Sequence, residues 1–349
     1  MQRTKAYTML YTNSWKAWVL AARPKTLMAA VVPVMIAAAF CFYDHTGRQS
    51  TWIPLLLCFL FAVIMQIDAN FVNDYFDNLH GNDSPATRLG PPRACAEGWV
   101  TPRAMRYAII ATTAFASIIG LLTVLCYGNI YFILIGIACI AGCFLYTLWF
   151  SYHAMGDVLV VLFFGIVPVC GTYYLATGIA LPTHIVIASI ACGVMIDALL
   201  LVNNFRDCDV DRANGKYTLV VYTGRTWGGR LNMMVGWLSA LLMLMAIVMQ
   251  PISIIALTAV LLVFAPFVCM HTATALQLPK AQGKDAYNRI LAHAARNIVL
   301  FGLTTITALA VAGIANSVPC RKCRQEGIHD KDIGKNTIKA LDYTYTMQA

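Results

Sequence analysis

Nine times along the chain the polar residues give way to an apolar run near the ~20 residues that an α-helix needs to cross a bilayer's hydrocarbon core. The runs fall at 17–42, 52–77, 105–126, 129–150, 156–178, 183–204, 231–249, 252–273 and 296–316. Segments so poor in polar positions have no face to offer water. Only 12% of the residues are charged, against about 25% in soluble domains. A soluble helical bundle is therefore excluded, and the expected fold is an all-α polytopic membrane protein of nine transmembrane helices. The expected organisation is a cytoplasmic N-terminal segment at 1–15, a membrane domain at 16–316 and a polar tail at 317–349.

The first run is too long for the apolar core of a cleaved signal, and no small-residue cleavage site follows it, so it is read as a retained helix. Most of the twelve cysteines lie inside the runs, where cysteine packs as a small apolar residue. Cys320 and Cys323, in the tail's CRKC, stand apart, but an isolated C-x-x-C is weak ground for a metal or redox centre. The net charge of +9 informs through its placement. Lys16, Arg23 and Lys25 flank the first span; Arg88, Arg93, Arg103 and Arg106 follow the second; Arg206, Arg212, Lys216 and Arg225 follow the sixth. If the spans alternate, all of these lie on one side, and the opposite loops between spans hold only Arg48. The positive-inside rule puts the basic side in the cytoplasm. Aromatic residues do not interleave with these cations on a soluble surface, so nucleic acid is not the partner they imply.

Two spans, the second and the sixth, run into acid: NFVNDYFDNLHGND at 70–83 and NNFRDCDVDRANGK at 203–216. At 100° per residue, Asn70, Asn73, Asp74 and Asp77 share an arc of about 100°, and Asn203, Asp207 and Asp211 one of about 80°. Asn70 and Asn203 each stand four residues ahead of an aspartate, and Gly81 and Gly215 follow at similar offsets, a weak internal repeat. A carboxylate within a bilayer costs about 2.5–3.5 kcal/mol, and like charges crowded together repel, so positive charge is needed between the clusters. Carboxylate and amide oxygens without nearby His or Cys suit a hard divalent cation. Mg²⁺ typically takes one or two protein carboxylates and completes its shell with water and phosphate oxygens. No twelve-residue loop closes on a glutamate, which excludes an EF-hand. Two clusters facing one cavity would thus bridge a diphosphate through Mg²⁺, with Asp74, Asp77, Asp207 and Asp211 as ligands and Asp83 as an outlying carboxylate. Arg88, Arg93, Arg206, Arg212 and Lys216 lie within a short loop's reach, and Lys25 at the first helix mouth points to the same place. Guanidinium offers planar bidentate donors to phosphate and ammonium a point charge. Any one of these is equally well a partner for lipid headgroups; as a set they imply an anionic ligand.

These motifs, at these places, resemble the intramembrane aromatic prenyltransferases of the UbiA superfamily, which carry an N-x-x-x-D-x-x-D-type motif after the second helix and D-x-x-x-D after the sixth. RPKTL (23–27), NDYFD (73–77), GPPR (90–93), MGDVLVVLFFGIVPVCGTYYL (155–175), NNFRDCDVDRANGKYTL (203–219) and NRILAHAARNIVLFG (288–302) are similar to the branch that prenylates 1,4-dihydroxy-2-naphthoate. The resemblance spans about residues 15–315. Asp68 and Asp197, acids within helices, and the segment TRLGPPRACAEG depart from the pattern.

The resemblance implies nine helices around a central cavity with a cytosolic cap, open sideways to lipid, in a bacterial inner membrane. It implies Mg²⁺-dependent transfer of a polyprenyl group from polyprenyl diphosphate to 1,4-dihydroxy-2-naphthoate, with loss of carboxylate, giving a demethylmenaquinone. Asp74, Asp77, Asp207 and Asp211 then act in catalysis, and Asn70 and Asn203 join the cations around the diphosphate. An allyl cation needs a dry pocket with electron-rich walls, and Tyr146, Tyr173 and Tyr174 are the candidates. Substitution by a cation needs no covalent nucleophile. Another aromatic acceptor, such as 4-hydroxybenzoate, is the alternative within the class. A transporter using Asp68 and Asp197 as ion sites is the alternative outside it, disfavoured because the acids cluster at one rim.

Overall fold

A computed structural model describes residues 10–44, 51–81 and 89–317. Asp83, Arg88, Arg48, Cys320 and Cys323 lie outside the described residues. Eleven α-helices follow in order: α1 (Trp15–Ala22), α2 (Pro24–Tyr43), α3 (Trp52–Leu79), α4 (Pro102–Tyr127), α5 (Ile130–Leu148), α6 (Gly156–Val161), α7 (Val167–Thr177), α8 (Thr183–Ala213), α9 (Leu219–Val248), α10 (Ile254–Gln277) and α11 (Gly283–Ser317). Among the described residues nine helical spans are long and apolar enough to cross a membrane, with α6 and α7 sharing one. No strand occurs there, only an isolated bridge between His153 and Tyr217.

The first expected span, 17–42, is two helices. Arg23 adopts a left-handed φ of 51° and its N–H closes α1 on the Leu20 carbonyl. Pro24 then opens α2, a position where its missing N–H costs nothing and its fixed φ suits the helix. Ala17 and Ala21 of α1 pack with Phe71, Val72, Trp99 and Met105, while Trp15 stays exposed. The corner sets Arg23 and Lys25 at the end of α3.

The largest boundary shifts lengthen helices, whereas the fourth expected span, 129–150, shortens to Ile130–Leu148. The sixth span runs on past 204 to Ala213, so its acids ride on the helix as their shared arc requires, and the ninth begins at Gly283 rather than 296. The seventh begins at Leu219, with a non-helical Gly224 inside it. Hydropathy ends a helix where polar residues begin, yet hydrogen bonding along the backbone continues past the apolar stretch.

The middle of the molecule is α8. Cys192, Met195 and Leu201 are inaccessible there and pack in one core with Ile36 and Phe40 of α2, Met243 of α9 and Ile298 and Phe301 of α11. Around it, residues such as Leu125, Tyr131, Leu134 and Leu241 project outward, as a lipid-facing surface requires. Between α6 and α7 the helix passes through a π-helical stretch, Leu162–Ile166, just before Pro168, whose nitrogen cannot donate. Here the backbone meets α8 directly: a Cβ on Gly165 would lie 2.4 Å from the Ser189 carbonyl oxygen, and one on Gly193 2.7 Å from Val161 Cα. Small residues at such crossings let helices in lipid approach closely.

Candidate active site at the polar end of the cavity

A cavity of about 2190 Å³ runs between α2, α3, α4, α5, α6–α7, α8 and α11. Most of its wall is apolar, with Val34, Phe61, Met65, Ile133, Phe163 and Leu199. One end is charged. Asp77 comes from α3, Asp207 and Asp211 from α8, and Arg23, Lys25, Arg93, Arg206, Lys216 and Lys284 surround them.

The α3 side is built by its asparagines. Asn70 Nδ2 donates to the Ala22 carbonyl at 2.9 Å and to Thr26 Oγ1 at 3.2 Å, which pins the α1–α2 corner. Arg23 Nη1 donates to Asn73 Oδ1 at 3.3 Å, and Asn73 Nδ2 to Asp77 Oδ2 at 2.9 Å. Asp77 faces Arg93 across 3.8 Å. Two expected ligands therefore have other employment. Asn70 spends its amide on the protein. Asp74 is 1% exposed and accepts the backbone N–H groups of Ala94 and Cys95, both at 3.0 Å, with Arg23 Nη2 at 3.8 Å. Asp74 lies outside the cavity wall, because its two oxygens hold the 89–101 segment that closes the polar end.

On α8, Arg206 clamps Asp207 through Nε at 2.7 Å and Nη2 at 2.5 Å. Arg206 is buried, and its Nη1 has no hydrogen-bond partner among the described residues. Asn203 lines the cavity but donates to its own helix at the Leu199 carbonyl, 3.1 Å away. The α8 cap returns the chain: Gly215 takes a φ of 70°, Lys216 N–H bonds the Asp211 carbonyl at 2.8 Å, and Lys216 Nζ lies 3.8 Å from Asp211 Oδ1. Tyr217 N–H then bonds the Tyr152 carbonyl at 3.2 Å, fixing this loop to the one after α5. Arg212 departs from expectation. It is exposed, points away from the cavity and donates to the Val221 carbonyl at 3.3 Å.

The tyrosines separate by position. Tyr146 lines the cavity beside Lys216 and Asn204, which share a small polar recess with it. Tyr174 lines the cavity far from the acids, about 27 Å along its span from Gly156 at 1.5 Å per residue. There it accepts from Asn129 at 3.1 Å and stacks on Phe132 at 5.2 Å. Tyr173 is buried outside the cavity, and its hydroxyl donates to Asp44 at 2.7 Å, next to His184. Only Tyr146 remains beside the charged end.

Residues that sequence reading passed over also line the cavity. Arg23 looked like a topology signal. Gln66 stands one turn before Asn70 on the same helix face. Lys284, Asp285 and Asn288 of α11 fell before the expected start of the ninth helix. Of the intrahelical acids, Asp68 accepts from the Thr112 and Thr113 hydroxyls, whereas Asp197 Oδ1 is buried with no hydrogen-bond partner among the described residues.

Among the described residues no three His, Cys, Asp or Glu side chains stand close enough to hold a metal by themselves. At the charged end the cavity offers Asp77 from α3 and Asp207 and Asp211 from α8, each facing a cation. Such a set fits Mg²⁺ that arrives with phosphate oxygens, since that ion takes few protein ligands.

Helices converging on a tail-sized apolar cavity with an acid-and-cation head define a membrane-embedded enzyme for an amphiphilic anion. Residues 30–294 match the UbiA prenyltransferase family, and the chain belongs to it. It is 35% identical over 219 residues to a 1,4-dihydroxy-2-naphthoate octaprenyltransferase of Escherichia coli, covering 60% of this chain and 69% of that one. Among solved structures, a UbiA homolog from Aeropyrum pernix superposes with a TM-score of 0.61 at 14% identity, over 81% of this chain and 97% of the other. A UbiA homolog from Archaeoglobus fulgidus bound to DMAPP and Mg²⁺ gives 0.58 at 13% identity, over 84% and 99%.

Proposed function

We propose that this prenyltransferase moves a polyprenyl group from polyprenyl diphosphate to 1,4-dihydroxy-2-naphthoate, with loss of the carboxylate, in the menaquinone pathway. The observation that carries the reading is the convergence of Asp77 with Asp207 and Asp211 on one cavity whose other walls are apolar. The kinship to naphthoate prenyltransferases supports the acceptor. The basic rim, by the positive-inside rule, and the kinship to bacterial enzymes support a site that faces the cytoplasm of a bacterial inner membrane.

The isoprenoid tail partitions into the apolar part of the cavity, and the diphosphate stays at the charged end. Lys25, Arg93, Arg206 and Lys216 meet the negative charge that grows on the leaving group as the allylic C–O bond breaks. Asp77, Asp207 and Asp211 would hold Mg²⁺, which supplies further charge neutralisation at the diphosphate. Tyr146 offers a π face to the developing allyl cation. The 89–101 segment, held by Asp74, keeps water from that cation. The electron-rich naphthoate ring then attacks the allylic carbon and releases its carboxyl group as CO₂.

Proteoliposomes supplied with labelled polyprenyl diphosphate, a panel of aromatic acceptors and Mg²⁺ or EDTA test this. The expected result is a prenylated, decarboxylated product from 1,4-dihydroxy-2-naphthoate only, abolished by EDTA. Product from 4-hydroxybenzoate alone, or flux across the bilayer with no prenylated product, would overturn the reading.

A further inference from the structure

We infer that Gln66 recognises a ring hydroxyl of the aromatic acceptor, an assignment that rests on the prenyl-transfer reading above. Gln66 lines the cavity, is 9% exposed, and leaves its side-chain oxygen Oε1 buried without a hydrogen-bond donor among the described residues.

The identity of that atom as oxygen follows from a chain of partners. The Ala22 carbonyl can only accept, so the Asn70 atom that meets it is Nδ2. Asn70 Oδ1 must therefore face the other way, toward Gln66. Whatever Gln66 presents there, at 3.4 Å, has to donate, and is Nε2. The remaining atom is a carbonyl oxygen that can only accept. A buried acceptor left unpaired costs about 1–3 kcal/mol, so a ligand carrying a donor is favoured at this point.

The prenyl donor cannot supply it. Its tail has no polar hydrogen, and its ionised diphosphate accepts rather than donates. Nor does the head reach. Gln66 stands eight residues before Asp74 and eleven before Asp77, about 12 and 16 Å deeper along α3. Met65 and Ala69 flank it on the cavity wall, an apolar setting suited to an aromatic ring. A dihydroxy aromatic acid carries two O–H donors, and a neutral amide carbonyl reads a hydroxyl without attracting the anionic substrate head. The acceptor's subsite therefore lies below the diphosphate, with Gln66 at its edge.

The test uses the full-length enzyme in proteoliposomes, as wild type, Gln66→Leu and Gln66→Glu. The readouts are KM for each substrate and Ki for 1-hydroxy-2-naphthoate and 4-hydroxy-2-naphthoate, each of which lacks one ring hydroxyl. Losing one hydrogen bond to a buried acceptor predicts that one deoxy analogue binds wild type about 10- to 100-fold more weakly than the parent acid. Gln66→Leu should weaken the parent acid by a similar factor, bind it and that analogue alike, and leave KM for polyprenyl diphosphate unchanged. Gln66→Glu, which keeps an accepting oxygen, should still discriminate. An equal rise in both substrates' KM would reduce Gln66 to a support for Asn70 and overturn the inference. A changed Mg²⁺ requirement would make it a metal ligand, with the same result, as would a wild type indifferent to both analogues. If the wild type prenylates only another phenol, the functional reading fails by itself, and the comparison is run with that phenol and its deoxy form.

Discussion

Asp74 and Asp77 sit three residues apart on α3 and do different work. Asp74 is turned from the cavity onto two backbone N–H groups of the 89–101 segment. Removing it in Asp74→Ala orphans both donors and should cost about 2–4 kcal/mol. The expected readout is a lower melting temperature in detergent with faster proteolysis inside residues 89–101. Asp77→Asn keeps the shape, removes a charge from the cavity and should lower product formation about 100-fold or more while leaving the melt unchanged. A thermally crippled Asp77→Asn enzyme would instead make Asp77 structural. The arginines divide in the same way. Arg206→Ala should raise KM for polyprenyl diphosphate about 10- to 100-fold, since it strips a charge-assisted contact from the cavity. Arg212→Ala, on the outside of α8, should stay within about 2-fold. The residue types that mark an anionic site stand in the sequence, whereas the choice between neighbours such as Asp74 and Asp77 does not. An arc of 100° on one helix includes both, and only the returning 89–101 segment decides which of them is used up.

At the scale of elements, the spans were legible because lipid imposes length and hydropathy together. Their ends were not. The α1–α2 corner hinges on a left-handed Arg23, a residue with no sequence signal for that conformation apart from the proline that follows. Lys284, Asp285 and Asn288 were missed because the polar first turns of α11 precede its apolar stretch. The π-helical crossing of α8 was equally hidden, although the sequence carries its glycines. With Gly165 and Gly193 in direct contact with the opposing backbone, no flexible side chain can give way. Gly193→Ala should therefore destabilise by about 1–3 kcal/mol through overpacking, and Gly193→Leu should prevent stable insertion. Melting in detergent together with the yield of membrane-inserted protein checks this. Because α8 carries Asp207 and Asp211, the Gly193→Ala enzyme that does fold should also lose activity, and full activity would show that the crossing does not set the position of those acids.

For the molecule as a whole, the question is whether the two acidic helix ends form one site. Asp77 and Asp207 belong to opposite halves of the chain, and each faces a cation of its own, Arg93 for Asp77 and Arg206 for Asp207. Two independent surface ion pairs would look similar in sequence, so the shared cavity is what distinguishes them. If both carboxylates act on the same diphosphate, removing one already disables the head of the site, and removing the second takes away little more. Residues that work as a unit are grossly non-additive in their effect on rate, whereas distant independent residues add. The expected outcome is that Asp77→Asn and Asp207→Asn each lower kcat/KM by about two to three orders of magnitude, and that the double variant falls no more than about 10-fold below the worse single one. Measuring kcat/KM for the four enzymes at saturating acceptor decides the matter. Multiplicative losses would mean that the two helix ends act separately, and one cavity with a polar end would then be two sites that merely share a wall.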